Sequence, residues 1–300
     1  MGSMIRFEIY TSILMNVFLR AKIRIMNSGF VADAVSALDT EGFVKLEQGL
    51  NSKDVCKYLS LLNLHYAEFT SKYGTPIATA KTDILYNLQN KDKNFLDLMD
   101  DPLIEEILMA KLNDPFFRQI PNGHPNYILN QFTARSSNET LDLHIDAGMP
   151  SQDKEANMMQ LAFVLEPFRA ESGCTWVVPK SHRSGRYPDQ ERSAHGLVPV
   201  EADSGDVLIW DSRLWHGAGE NNTGRTRWAI IATVSRWWIK QSFDMTRSIP
   251  EEFYRALSDK HKALIGFCTI PPRDEHERIG RNSGYSDLKD RPSANFDDKD

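Results

Sequence analysis

The sequence predicts a mainly β fold, a cupin-like jelly roll (double-stranded β-helix) with flanking helices, and three observations carry that expectation. Short runs of β-branched and aromatic residues crowd the chain after Pro125. Clusters of turn-forming residues separate them, as at Glu171-Ser172-Gly173, Ser184-Gly185, Asp203-Ser204-Gly205-Asp206 and Asn221-Asn222-Thr223-Gly224. No helical pattern intervenes between those runs, which argues against a parallel sheet with crossover helices.

In chain order, the first feature is a mostly apolar run from Ile9 to Leu19. It is about half the roughly 20 residues of a membrane span, and the basic stretch Arg20 to Arg24 stands where a leader peptide carries small residues. It reads as a short appended helix, with residues 1–25 an added segment and Met26 a second plausible start. Apolar residues then recur at helical spacing over 31–38, and Gly42 to Leu46 alternates like a strand. Asn51 or Ser52 can cap a second helix, whose stripe of Val55, Leu59, Leu62, Tyr66 and Phe69 ends at Gly74 and Pro76. Residues 90–112 read as two helices split at Asp101-Pro102, because proline suits a first helical turn and disfavours helix in the residue before it. Strands are expected at 127–134, 158–165, 174–178, 197–200, 207–210 and 228–234, followed by a helical pattern over 250–267. The organisation expected is one domain over 26–282 and a polar, flexible tail over 283–300.

Composition limits the partners. Thirty-five Lys and Arg against 41 Asp and Glu give a net charge of −6, so the basic footprint of a nucleic-acid or membrane-surface binder is missing. Cys56, Cys174 and Cys268 are odd in number, widely spaced and free of any CxxC pair, which fits a reducing, cytoplasmic setting. A small-molecule partner is the expectation; oligomeric state has no signature.

The chemistry-bearing residues are His144 and Asp146 in His144-Ile145-Asp146, and His216, which follows Asp146 by 70 residues. In a strand, residues i and i+2 share a face, so His144 and Asp146 can aim at one point. A His-x-acid triplet arises about once by chance in a chain with 8 His and 41 acidic residues, so the triplet is informative only with its partner. His216 on a returning strand would complete a set of two histidines and one carboxylate that leaves metal positions open, the ligand type of non-haem Fe(II) oxygenases.

Four ordered segments then resemble the phytanoyl-CoA dioxygenase family of Fe(II)/2-oxoglutarate oxygenases: the His144–Asp146 doublet; Glu171 to His182, ending Val178-Pro179-Lys180-Ser181-His182; Gly205-Asp206 launching Val207 to Trp210; and His216 to Trp228. Ordered matches run from about Phe43 to Trp228. The resemblance implies that His144, Asp146 and His216 hold Fe(II), that 2-oxoglutarate and O2 are cosubstrates, and that Arg227, eleven residues past His216, grips the far carboxylate of 2-oxoglutarate. It also places an amide, Asn130 or Gln131, near the cosubstrate, though either could equally serve a sheet edge. Two departures stand out. Lys180 replaces the usual glycine, and Ala218 stands where the family often has a cosubstrate-binding serine.

The implied activity is oxidation of a C–H bond of a small metabolite, by hydroxylation or by demethylation or desaturation through the same intermediate, with release of succinate and CO2. In halogenases of the superfamily glycine or alanine replaces the carboxylate ligand, so Asp146 disfavours chlorination. A cupin-like metal hydrolase or isomerase, and a noncatalytic binding jelly roll, are the alternatives. His182 is expected to bond a loop rather than metal, and His65, His124, His195, His261 and His276 to be structural. Residues 147–157, with Gly148 and Pro150, read either as a lid or as a plain surface loop.

Overall fold

The computed structural model describes residues 18–20, 28–74, 82–189 and 196–279. Most of the appended segment, the tail and His195 lie outside the described residues. By contact density the chain divides into two compact units, Met1–Tyr86 with Thr133–Ala232 and Asn87–Phe132 with Thr233–Asp300.

The larger sheet of the fold has seven strands: β1 (Phe18–Arg20), β2 (Phe43–Glu47), β3 (Thr82–Tyr86), β4 (Tyr127–Ser137), β6 (Met158–Val164), β9 (Val207–Asp211) and β11 (Ala229–Arg236), in the order β1-β2-β9-β6-β11-β4-β3. The second sheet has β5 (Leu141–His144), β7 (Thr175–Val177), β8 (Val198–Val200) and β10 (His216–Ala218), in the order β5-β10-β7-β8. Strand β1 pairs with β2 in parallel, whereas β2 with β9, β6 with β9, β3 with β4, β5 with β10, β7 with β10 and β7 with β8 pair antiparallel, as expected of a jelly roll. Leu208 and Trp210 of β9, Ala162 and Val164 of β6, Val177 of β7 and Val198 and Val200 of β8 join one buried apolar cluster with Phe168 and Leu214. That cluster explains why these runs are apolar at alternate positions or throughout.

Helix α1 (Ser28–Thr40) leads into β2 through Gly42, whose φ of +88° favours glycine. A Cβ there would lie 2.6 Å from His182 Nδ1 and 2.8 Å from Leu214, so the turn also needs the space. Helix α2 (Ser52–Tyr73) starts as the sequence suggests: Asn51 is the N-cap, its side chain accepting from the amides of Lys53 and Asp54.

In the other unit, Asp101 caps α3 (Pro102–Leu112) by accepting from Leu103 N and Ile104 N, with proline in the first turn. The preceding segment, Lys93–Asp100, is a 3-10 helix. Its buried residues Phe95 and Leu98, and Leu96 and Met99, recur at a spacing of three, which matches a three-residue turn. Short helices α4 (Met245–Ser248), α5 (Glu251–Ala256), α6 (Asp259–Ile265) and α7 (Glu275–Ile279) follow, and Ala263 and Cys268 pack with Ile120, Ile128 and Trp237.

One expectation fails at the start of the chain. Residues 18–20 form a strand rather than part of a helix, and they pair in parallel with Lys45, Leu46 and Glu47. Strand β2 would otherwise be a sheet edge with unpaired amides and carbonyls, and a short extended segment satisfies them. Among the described residues no helix is long and apolar enough to cross a membrane.

Candidate metal centre and cosubstrate pocket

His144 ends β5 and His216 begins β10, and the two are directly opposite one another in the antiparallel register, with ring centroids 4.2 Å apart. Each imidazole is oriented by a backbone carbonyl: Asp142 O lies 2.8 Å from His144 Nδ1, and Leu214 O lies 2.9 Å from His216 Nδ1. With Nδ1 donating its proton there, Nε2 of each ring keeps a free lone pair, the tautomer a metal requires. Asp146 sits between them, Oδ1 3.5 Å from His144 Nε2 and Oδ2 3.2 Å from His216 Nε2. The three ligand atoms lie within 4.8 Å of one another. Two imidazoles with Nδ1 engaged and a carboxylate, converging in this way, fit a divalent transition metal.

Asp146 reaches this position differently from the i, i+2 strand geometry expected of the doublet. Strand β5 stops at His144, and the chain turns so that Asp146 N and Ala147 N both donate to Ser212 O, at 2.8 and 2.9 Å. Burial alone would raise the Asp146 carboxyl, but the His216 and His144 imidazoles outweigh it and hold the group far below the usual carboxylate range. Burial would likewise lower the His144 imidazole, and hydrogen bonds to Asp146 and to Asp142 O raise it instead. The His216 side chain is 7% exposed, against 34% for His144 and 28% for Asp146, so the ligand face opens on the side of the doublet.

The spacing of β5 and β10 depends on Gly217. A Cβ there would lie 2.4 Å from Leu141 O, a backbone atom that cannot swing aside. Gly217→Ala is expected to spread the strands that carry the two histidines and to weaken Co(II) binding about 10-fold or more, the scale on which lost ligand orientation is felt. A cobalt titration at wild-type affinity would contradict this.

Arg227 is buried, at 8% exposure. Its Nε donates to Ser137 O at 3.2 Å, its backbone N donates to Ser136 Oγ, and its guanidinium lies 5.4 Å from the Phe168 ring centroid. No carboxylate among the described residues pairs with it. Burial and the positive charge of Arg135 pull its pKa down to about 10, so it remains charged at neutral pH. An unneutralised buried guanidinium is costly unless an anion arrives, and a planar fork of donors suits a carboxylate. Ala218, on β10, is buried and brings no hydroxyl.

The two amides fare differently. Asn130 Oδ1 accepts from Ser242 N and Ser242 Oγ, while its Nδ2 lies 3.0 Å from Lys240 O and 3.4 Å from Ser235 Oγ. All its hydrogen-bonding positions are used in holding that turn, which corrects the cosubstrate role considered for it. Gln131 is partly buried on the next position of β4, with no such bonds. Sequence reasoning passed over Arg135. It shares a strand face with Gln131 and Thr133, and its charge acts on both His144 and Arg227.

Other histidines and Trp215 have protein partners. His182 is buried, with Nε2 3.3 Å from Asp39 O. His65 pairs with Glu68, and the Trp215 indole donates to Arg186 O. His261 meets Asp97 and Asp100, but Lys260 Nζ lies 3.1 Å from Asp100 and 2.6 Å from Glu105, so a cation is already present. The three cysteines are free, and burial pushes the Cys174 thiol up to about 11.

Comparison with known proteins identifies the family and the fold. Residues 38–229 match the model of the family described as phytanoyl-CoA dioxygenase. An uncharacterised protein of Mycobacterium tuberculosis is 27% identical over 186 residues, 61% of this chain and 67% of that protein. A dioxygenase of Aspergillus fumigatus is 26% identical over 190 residues, 62% of this chain but only 59% of its own length. Among solved structures, HygX from Streptomyces hygroscopicus, with nickel and 2-oxoglutarate bound, superposes with a TM-score of 0.55 at 17% identity, over 70% of this chain and 88% of that one. The non-haem 2-oxoglutarate-dependent epimerase SnoN gives 0.52 at 18% identity, over 69% and 83%. At those identities the superpositions speak to the fold, a cupin-like jelly roll. The family match spans well over half of the chain and contains all three converging side chains and Arg227, so the chain belongs to the phytanoyl-CoA dioxygenase family of Fe(II)/2-oxoglutarate-dependent oxygenases.

Proposed function

We propose that the protein oxidises a C–H bond of a small metabolite, consuming 2-oxoglutarate and O2 and releasing succinate and CO2. Hydroxylation is the default outcome: one oxygen atom of O2 enters the C–H bond and the other enters succinate, so atoms and electrons balance. The observation that carries the reading is the convergence of His144 Nε2, Asp146 and His216 Nε2, with both Nδ1 atoms already engaged by carbonyls. Iron bound there would supply the redox chemistry of oxygen activation.

The chain's own residues do the positioning. His144, Asp146 and His216 occupy one face of the metal and leave the rest open to cosubstrate and oxygen. Arg227, buried and without a carboxylate partner among the described residues, holds the far carboxylate of 2-oxoglutarate. Asp146 fills the position that chloride would need, so oxygenation products are expected in chloride buffer. A cytoplasmic location fits the free thiols.

The test is anaerobic loading with Fe(II), then 2-oxoglutarate, air and a panel of small metabolites, with succinate as the readout. Succinate formation that requires Fe(II) and rises with one metabolite supports the proposal. Turnover of an ester or amide with Zn(II) or Mn(II), and no succinate under any condition, would replace it with a metal hydrolase. A chlorinated product would remove Asp146 from the ligand set.

A further inference from the structure

We infer that Arg213 is a positioning residue for the metal centre, locking with Asp211 the turn that aims two ligands and fastening that turn to loop 147–157. The inference rests on the ligand set proposed above. It begins from a buried ion pair: the Arg213 and Asp211 side chains are 6% and 3% exposed. Arg213 Nε donates to Asp211 Oδ1 at 2.9 Å and Nη2 donates to Oδ2 at 2.7 Å, a two-pronged contact closed within three residues. The Arg213 backbone amide adds a third bond to Oδ1 at 2.9 Å. Apolar residues could fill the same volume at less desolvation cost, so the pair calls for another reason.

Its place in the turn supplies one. The residue before Arg213 contributes Ser212 O, which accepts from Asp146 N and Ala147 N, and the residue after it contributes Leu214 O, which orients the His216 ring. Thus the two carbonyls flanking Arg213 set the positions of two of the three ligands. Leu214 N donates to Asp211 O and Asp211 N to Gly42 O, so the turn is closed at its base. Ser212 N donates to Met158 O at 3.2 Å, and the side chain of Arg213 braces the middle of the turn between the two carbonyls.

The remaining prong reaches outward. Arg213 Nη1 donates to Asp153 O at 2.7 Å, in the loop that follows Asp146. Asp146 and Ala147 are bound to Ser212 at one end and Asp153 to Arg213 at the other, Gln152 Nε2 lies 3.5 Å from Ser184 O, and Met149 between them is 70% exposed. Residues 148–152 start two residues from a metal ligand, on the open side of the triad. One guanidinium therefore links ligand geometry, through Asp153, to the loop beside the opening.

The experiment compares wild type, Arg213→Gln and Arg213→Lys, with His216→Ala as the reference for a lost ligand. Co(II) affinity and its ligand-field absorption report the centre without turnover, and trypsin cleavage after the exposed Lys154 reports the loop. Arg213→Gln is expected to weaken Co(II) binding at least about 10-fold, to shift the absorption band and to speed cleavage after Lys154 several-fold. Arg213→Lys keeps the charge without the fork and should recover only part of the affinity; it also carries the test if the glutamine variant does not fold. A lower Tm with wild-type Co(II) affinity and spectrum would make Arg213 merely structural and overturn the inference. If instead wild type and His216→Ala bind Co(II) equally, the ligand set itself is wrong, a distinct result.

Discussion

His216→Ala abolishes succinate formation and lowers Co(II) or Fe(II) affinity by more than about 100-fold, because loss of an outer hydrogen-bond partner alone costs about 10–100-fold and here a direct ligand is removed. The loss is confined to the site. His216 Nδ1 bonds Leu214 O within the same turn, so the backbone pairing of β10 with β5 and β7 does not depend on the ring. A cooperative melt close to that of wild type is therefore expected. His144→Ala should behave alike, since its register partner is His216 itself. The measurements are anaerobic metal titration followed by succinate assay, and turnover near the wild-type rate from either variant would remove the triad from the mechanism.

The parts of this site that a sequence displays are those with strict local rules. Strand runs show as apolar patches, and β6, β9 and β11 lie within a residue or two of their expected bounds because each is fully or nearly buried. The Asn51 and Asp101 caps are equally local, set by one side chain and the amides two and three residues on. The candidate ligand group was visible because its residue types and spacing are unusual together. What stayed hidden depends on long-range partners. Asp146 is placed by Ser212 O, a carbonyl 66 residues away that no side-chain pattern reveals. Asn130 looked like a cosubstrate amide until its bonds to Ser235, Lys240 and Ser242 were seen, more than a hundred residues distant. Strand β1 escaped because an apolar run is compatible with helix or strand, and the edge of β2 decides between them.

Arg227→Met raises the KM for 2-oxoglutarate by about 10- to 150-fold, the equivalent of the roughly 1.5–3 kcal/mol of a charge-assisted hydrogen bond. Co(II) affinity is retained, because Arg227 touches Ser136, Ser137 and Phe168 and none of the three ligands. Thermal stability separates this role from a structural one. In the protein without cosubstrate, Arg227 is a buried cation with one side-chain hydrogen bond, to Ser137 O, and with Arg135 repelling it, so methionine of similar length should leave Tm unchanged or raise it. Added 2-oxoglutarate should raise the Tm of the wild type, since a ligand that binds only the folded state stabilises it, and should do so much less for the variant. A lowered Tm with an unchanged KM would make Arg227 a packing residue and pass the carboxylate to Arg135. That outcome is disfavoured by burial: Arg227 is almost wholly removed from water while Arg135 is partly exposed, and the guanidinium with less water around it gains more from a carboxylate.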